Sequence, residues 1–74
     1  MFELLKTLYA YDSKASMPVL EFERIRKEIR SNFDSLYEYK IRELLAEFIR
    51  LNELTIEEVS NFLSWFSNKL NINF

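Results

Sequence analysis

Carboxylates are the main reactive side chains of this chain: twelve aspartates and glutamates stand in a sequence without histidine, cysteine or glycine. Lacking histidine, it has no imidazole base and no imidazole ligand for zinc or haem. Without cysteine there is no thiolate nucleophile, thiolate metal site or disulfide framework. Without glycine neither the phosphate-cradling P-loop nor the dinucleotide fingerprint can form. A carboxylate-only site is the remaining option, and Glu21, Glu23, Glu28, Glu38, Glu43 and Glu47 fall in one segment. Their spacing points to ion pairing instead. Glu23 with Lys27 and Glu38 with Arg42 are i,i+4 pairs in the favourable orientation, and Glu47 with Arg50 is an i,i+3 pair. The expectation is a chain that is not an enzyme, with no catalytic residue, no metal, no cofactor and no small-molecule substrate.

Arg24, Arg26, Lys27 and Arg30 form the one basic cluster and are the nucleic-acid candidates, since such a cluster can contact phosphates. Glu21, Glu23 and Glu28 are interleaved with them, so residues 21–30 carry a net charge of only +1. A helix-turn-helix can also be drawn over residues 36–66, with a turn at Asn52–Leu54. Its second helix would open with Glu57 and Glu58, which repel a phosphate backbone, and has no basic residue before Lys69. A small DNA-binding regulator, reading through the helix at Arg24–Arg30, is the alternative to the leading expectation.

Trp65 carries that leading expectation. It falls roughly 120° from the centre of the last apolar stripe at helical geometry. Asn61, Ser64 and Asn68 share its side, so the face has a tryptophan and few charges, the composition of an interface core. Widening the contact with the first helix is the competing role for Trp65. Phe2 and Tyr9, on the wide apolar surface of the first segment, are the other partner-facing candidates beside Trp65, Asn61 and Asn68.

The elements that position these residues follow from apolar spacing. Pro18 to Asn52 runs 35 residues without glycine or internal proline. Phe22, Ile25, Ile29, Phe33, Leu36, Ile41, Leu44, Phe48 and Leu51 recur at about 3.6 residues, the α-helical period. Pro18 suits the first turn of this spine, and Ser16 or Met17 would be its cap. Ser31–Ser35 is the weak point, because it gathers poor helix formers and because the stripes on either side differ in phase by roughly 80°. Ser35 and Glu38 have the spacing of a capping box that would start a new helix there. A first helix spans about 2–12, with an apolar surface wide enough to be buried on more than one side. Asn52 is the natural left-handed residue after the spine in a chain without glycine. Thr55 and Glu58 then form a capping box, with Leu54 and Val59 at staple spacing, and open a last helix over 55–70. Its stripe is Ile56, Val59, Phe62, Leu63, Phe66 and Leu70. The tail Asn71–Phe74 frays unless Ile72 and Phe74 dock.

The expected fold is all-α. It is a single domain over 1–74, a small bundle of three helices, or four if the long central helix breaks near 31–35, packed as antiparallel hairpins. A chain this short buries roughly 60% of its unfolded surface, yet 33 of its 74 residues are large and apolar. A surplus of that kind belongs on a contact surface, so the chain is expected to be a homodimer. The net charge of −2 makes a nucleic acid a poor main partner. No apolar run approaches the ~18 residues of a membrane span, and Glu3 and Lys6 interrupt any leader at the start. The setting is expected to be cytoplasmic, with no membrane partner. Small size and an Asn-, Ile- and Phe-rich composition would suit a viral or plasmid protein. The function expected is non-catalytic protein–protein interaction, as an adaptor, assembly or inhibitor protein acting through helical packing on itself or on another protein.

Overall fold

The computed structural model describes residues 1–14 and 17–74. The described residues form four helices and no strand: α1 (Phe2–Lys14), α2 (Val19–Ser31), α3 (Glu38–Leu51) and α4 (Ile56–Lys69). They fall into two compact units, Met1–Asp34 and Ser35–Phe74.

In the first unit α1 packs on α2. Leu5 and Leu8 of α1 and Ile25 and Ile29 of α2 are buried, each pair at helical spacing, and Phe33 beyond α2 is buried with them. Burying such side chains contributes on the order of 1.5–3 kcal/mol each, which holds two helices too short to stand alone. Pro18 lies one position outside α2, at the N-cap rather than in the first turn. Its φ of −53° and ψ of 138° are extended, and its carbonyl accepts from the Phe22 N–H at 2.9 Å. Ser16, a candidate for that cap, lies outside the described residues, and Met17 is not the cap.

The spine is not continuous. α2 stops at Ser31, where the residues that weaken the helix also close it: the Ser31 hydroxyl and the Asn32 amide both donate to the Glu28 carbonyl, at 2.7 and 2.9 Å. Such local side-chain bonds compete with the helical ladder and end it. The continuous-helix, three-helix alternative is therefore overturned: α2 and α3 are separate helices, with residues 32–37 between them. The Ser35–Glu38 capping box does not form. Tyr37 is the N-cap of α3, without a side-chain cap bond, and this leaves Ser35 two positions too early.

The second unit holds α3 and α4, joined by a short turn. Ile41, Leu45 and Phe48 of α3 and Phe62 and Phe66 of α4 are buried, and Phe48 stacks on Phe62 across the pair. The turn between them has the hydrogen bonds of a Schellman motif: the Leu54 N–H donates to the Ile49 carbonyl and the Glu53 N–H to the Arg50 carbonyl, both at 3.2 Å. The left-handed residue is Glu53, at φ 51°, and not Asn52, at φ −97°. Asn52 closes the helix in another way, its side-chain amide donating to the Phe48 carbonyl at 2.8 Å. The Thr55 capping box is present in both directions. Thr55 Oγ1 accepts from the Glu58 N–H at 3.2 Å, and the Glu58 carboxylate accepts from the Thr55 N–H at 3.0 Å. After α4, Asn71 turns the chain at φ 56°. Ile72 is buried and Phe74 meets the Phe66 ring edge-on at 5.7 Å, so the tail docks.

Candidate functional site

The carboxylates of the spine are spread along exposed helix faces. Glu21 pairs with Arg24 at 2.6 Å, Glu23 with Arg26 at 2.5 Å, Lys40 with Glu43 at 3.7 Å and Glu38 with Arg42 at 3.8 Å, and Glu47 pairs with Arg50. Glu23 thus takes Arg26 at i,i+3 rather than Lys27 at i,i+4. Both positions border its turn of helix, and the guanidinium forms the short charge-assisted bond. The hydrogen bonds to Glu21 and Glu47 raise the Arg24 and Arg50 pKa values further, which leaves both permanently cationic. These exposed pairs contribute little to stability. Among the described residues no polar or charged side chain is buried, and no group of three or more carboxylates is placed to hold a metal ion.

The four basic candidates share one surface of α2. Arg24, Arg26, Lys27 and Arg30 line a groove with Leu20, Glu23 and Asp34. Arg24 and Arg26 are engaged by Glu21 and Glu23, Lys27 is exposed, and Arg30 is half-buried. Leu20 also lines a second groove in the same unit, an apolar one with Tyr11, Met17, Pro18 and Ile25.

On α4 the structure brings Asn61, Trp65 and Asn68 to one face by their spacing. Asn61 and Asn68 are exposed, and the Asn68 amide donates to the Ser64 hydroxyl at 3.3 Å. Trp65 is half-buried and stacks on Phe62 of its own helix with ring centroids 6.1 Å apart. Phe2 and Tyr9 lie on α1 in the other unit, and both are half-buried.

The most exposed large apolar side chains are elsewhere. Ile56 is 92% exposed and Leu20 86%, with Val19, Leu51, Tyr37 and Tyr39 also largely open. Two of these stand on stripes that spacing assigns to packing. Ile56 is the first residue of α4 and Leu51 the last of α3, so both flank the turn that joins the two helices. Leu20 had a readable signal: two residues from Phe22 on a helix is about 200°, which puts it on the face opposite the core. The turn end also carries the acidic residues Glu53, Glu57 and Glu58, all exposed.

No helix among the described residues is long and apolar enough to cross a membrane. Comparison with known proteins finds no protein-family model, no curated protein and no solved structure that matches the chain.

Proposed function

We propose that this protein is a non-catalytic protein–protein interaction module that acts through helical packing, and that it associates with itself as a homodimer. The observation that carries this reading is the open apolar surface on each unit, at Val19 and Leu20 on α2 and at Leu51 and Ile56 on the α3–α4 turn. Isolated exposed apolar residues are ordinary, but here they come in pairs and, at Leu20, beside an apolar groove. The Asn61–Trp65–Asn68 face, with few charges, offers a further surface of interface-like composition. Size-exclusion chromatography with light scattering tests the reading. Mass above the 9.0 kDa of one chain at micromolar concentration is the expected result. A wild-type chain that keeps the mass of one copy at high micromolar concentration overturns self-association.

A small DNA-binding regulator is the second reading, favoured by the placement of Arg24, Arg26, Lys27 and Arg30 around one groove. It ranks second because Glu23 and Asp34 line the same groove and because Glu57 and Glu58 open α4. Retention of non-specific duplex DNA at low salt, falling steeply as salt rises, supports it. Absence of binding at low salt excludes it.

A further inference from the structure

We propose that the contact between two copies joins the Leu20 face of α2 in one copy to the α3–α4 turn of the other. Leu20 meets Ile56, and Arg24 and Lys27 face Glu53 and Glu57. The inference rests on the self-association proposed above and gives it a surface.

The two most exposed large apolar side chains among the described residues are Ile56 and Leu20. Each stands beside charges of the opposite sign to the other's. Leu20 lines the groove that holds Arg24, Arg26, Lys27 and Arg30 with Glu23 and Asp34; Arg24 is paired with Glu21 and Arg26 with Glu23, so Lys27 and Arg30 against Asp34 leave the surface net positive by one charge. Around Ile56 the exposed charges are Glu53, Glu57 and Glu58, while the nearest cation in sequence, Arg50, is bound to Glu47. The turn is therefore net negative.

This distribution decides between the ways two copies can meet. Groove on groove opposes cations to cations. Turn on turn opposes carboxylates to carboxylates. Only groove on turn matches both the apolar anchor and the charge, and like-charge juxtaposition is what excludes wrong pairings at interfaces. In a two-fold dimer a contact between patch i and patch j is made twice, once in each direction. The apolar anchors are the groups whose truncation weakens such a contact most, and the rim charges set its selectivity and salt dependence. Leu51, also exposed at the turn, extends the apolar anchor beside Ile56.

Charge exchange between two variants tests the assignment. One variant carries Arg24→Glu and Lys27→Glu; the other carries Glu53→Lys and Glu57→Lys. All four side chains are exposed, and circular dichroism checks that each variant keeps its helix. Each variant alone should self-associate at least about tenfold more weakly than wild type by sedimentation equilibrium, a loss of about 1.4 kcal/mol. An equimolar mixture should recover association, because the reversed groove of the first variant then faces the reversed turn of the second, while the unchanged groove of the second faces the unchanged turn of the first. Leu20→Asp should abolish association in either background. If wild type associates and both variants match it, the contact lies elsewhere and the assignment falls while self-association stands. If both variants lose association and the mixture does not recover it, the pairing of groove with turn is overturned. A wild-type chain that stays single defeats self-association itself, and the assignment with it.

Discussion

The rings of Phe48 and Phe62 lie 4.7 Å apart, centroid to centroid, and within 18° of parallel. One aromatic pair thus joins α3 to α4. Phe62 in turn touches Trp65 and Phe66, with centroids at 6.1 and 6.0 Å, so the ring is the hub of an aromatic core. Phe48→Ala should cost about 3–5 kcal/mol, the range for emptying a buried phenylalanine site. Phe48→Leu keeps most of the volume and should cost clearly less. Denaturant titration of both variants reads the difference, and equal losses would show that the aromatic packing matters more than the filled volume.

Thr55 and Glu58 close the start of α4 on each other. Thr55→Ala should lower stability by about 1 kcal/mol, whereas Thr55→Ser keeps the acceptor oxygen and should be nearly silent. The same pair predicts a pH dependence. Hydrogen bonds from the Thr55 backbone N–H, and then from its side chain, hold the Glu58 carboxyl below the ordinary carboxylate range. A group with a lowered pKa in the folded state binds fewer protons folded than unfolded. Its contribution is complete above the ordinary carboxylate value and disappears as pH falls through the lowered one. Urea titrations across the acid range should show a shallower loss in Glu58→Gln than in wild type. Parallel curves would mean that the carboxylate's ionisation is not coupled to folding.

Glu53 occupies the left-handed position that ends α3, at φ 51°. That conformation crowds the Cβ of an L-residue and costs roughly 1–2 kcal/mol, which glycine avoids. After glycine's larger unfolded-state entropy is set against this, Glu53→Gly should stabilise the chain by about 0.5–1 kcal/mol. Asn52→Gly should do the opposite. Asn52 is right-handed at φ −97°, and the change removes its side-chain bond to the Phe48 carbonyl. Thermal melts of the two variants should move in opposite directions, and a rise for Asn52→Gly would place the left-handed turn one residue earlier.

Trp65 can serve the packing of its own unit or a contact with a partner. Its half-buried ring on Phe62 supports the first role. Trp65→Ala should accordingly lower stability by about 2 kcal/mol, less than a fully buried tryptophan. Dissociation of the assembly with the melting temperature unchanged would place Trp65 at the centre of the interface instead.

What the sequence by itself determined is local. The helical period, the Thr55–Glu58 capping box and the weakness at Ser31–Ser35 are all legible because each rests on residues three or four positions apart, whose geometry a helix sets before anything packs. Assignments that depend on neighbours remote in sequence were not legible. Spacing alone puts Ile56 and Leu51 on packed stripes, yet they stand at the ends of their helices and are open to solvent. It names Ile72 and Phe74 as the residues that could dock the tail but leaves open whether they do; Phe74 finds the Phe66 ring and Ile72 is buried. It offers asparagine for the left-handed turn after α3, and the hydrogen bonds of the Schellman motif assign that position to Glu53. Periodicity gives the direction in which a side chain points from its own helix. Whether anything stands there to cover it, and hence which apolar groups remain for a partner, is decided only when the helices meet and bury some faces in preference to others.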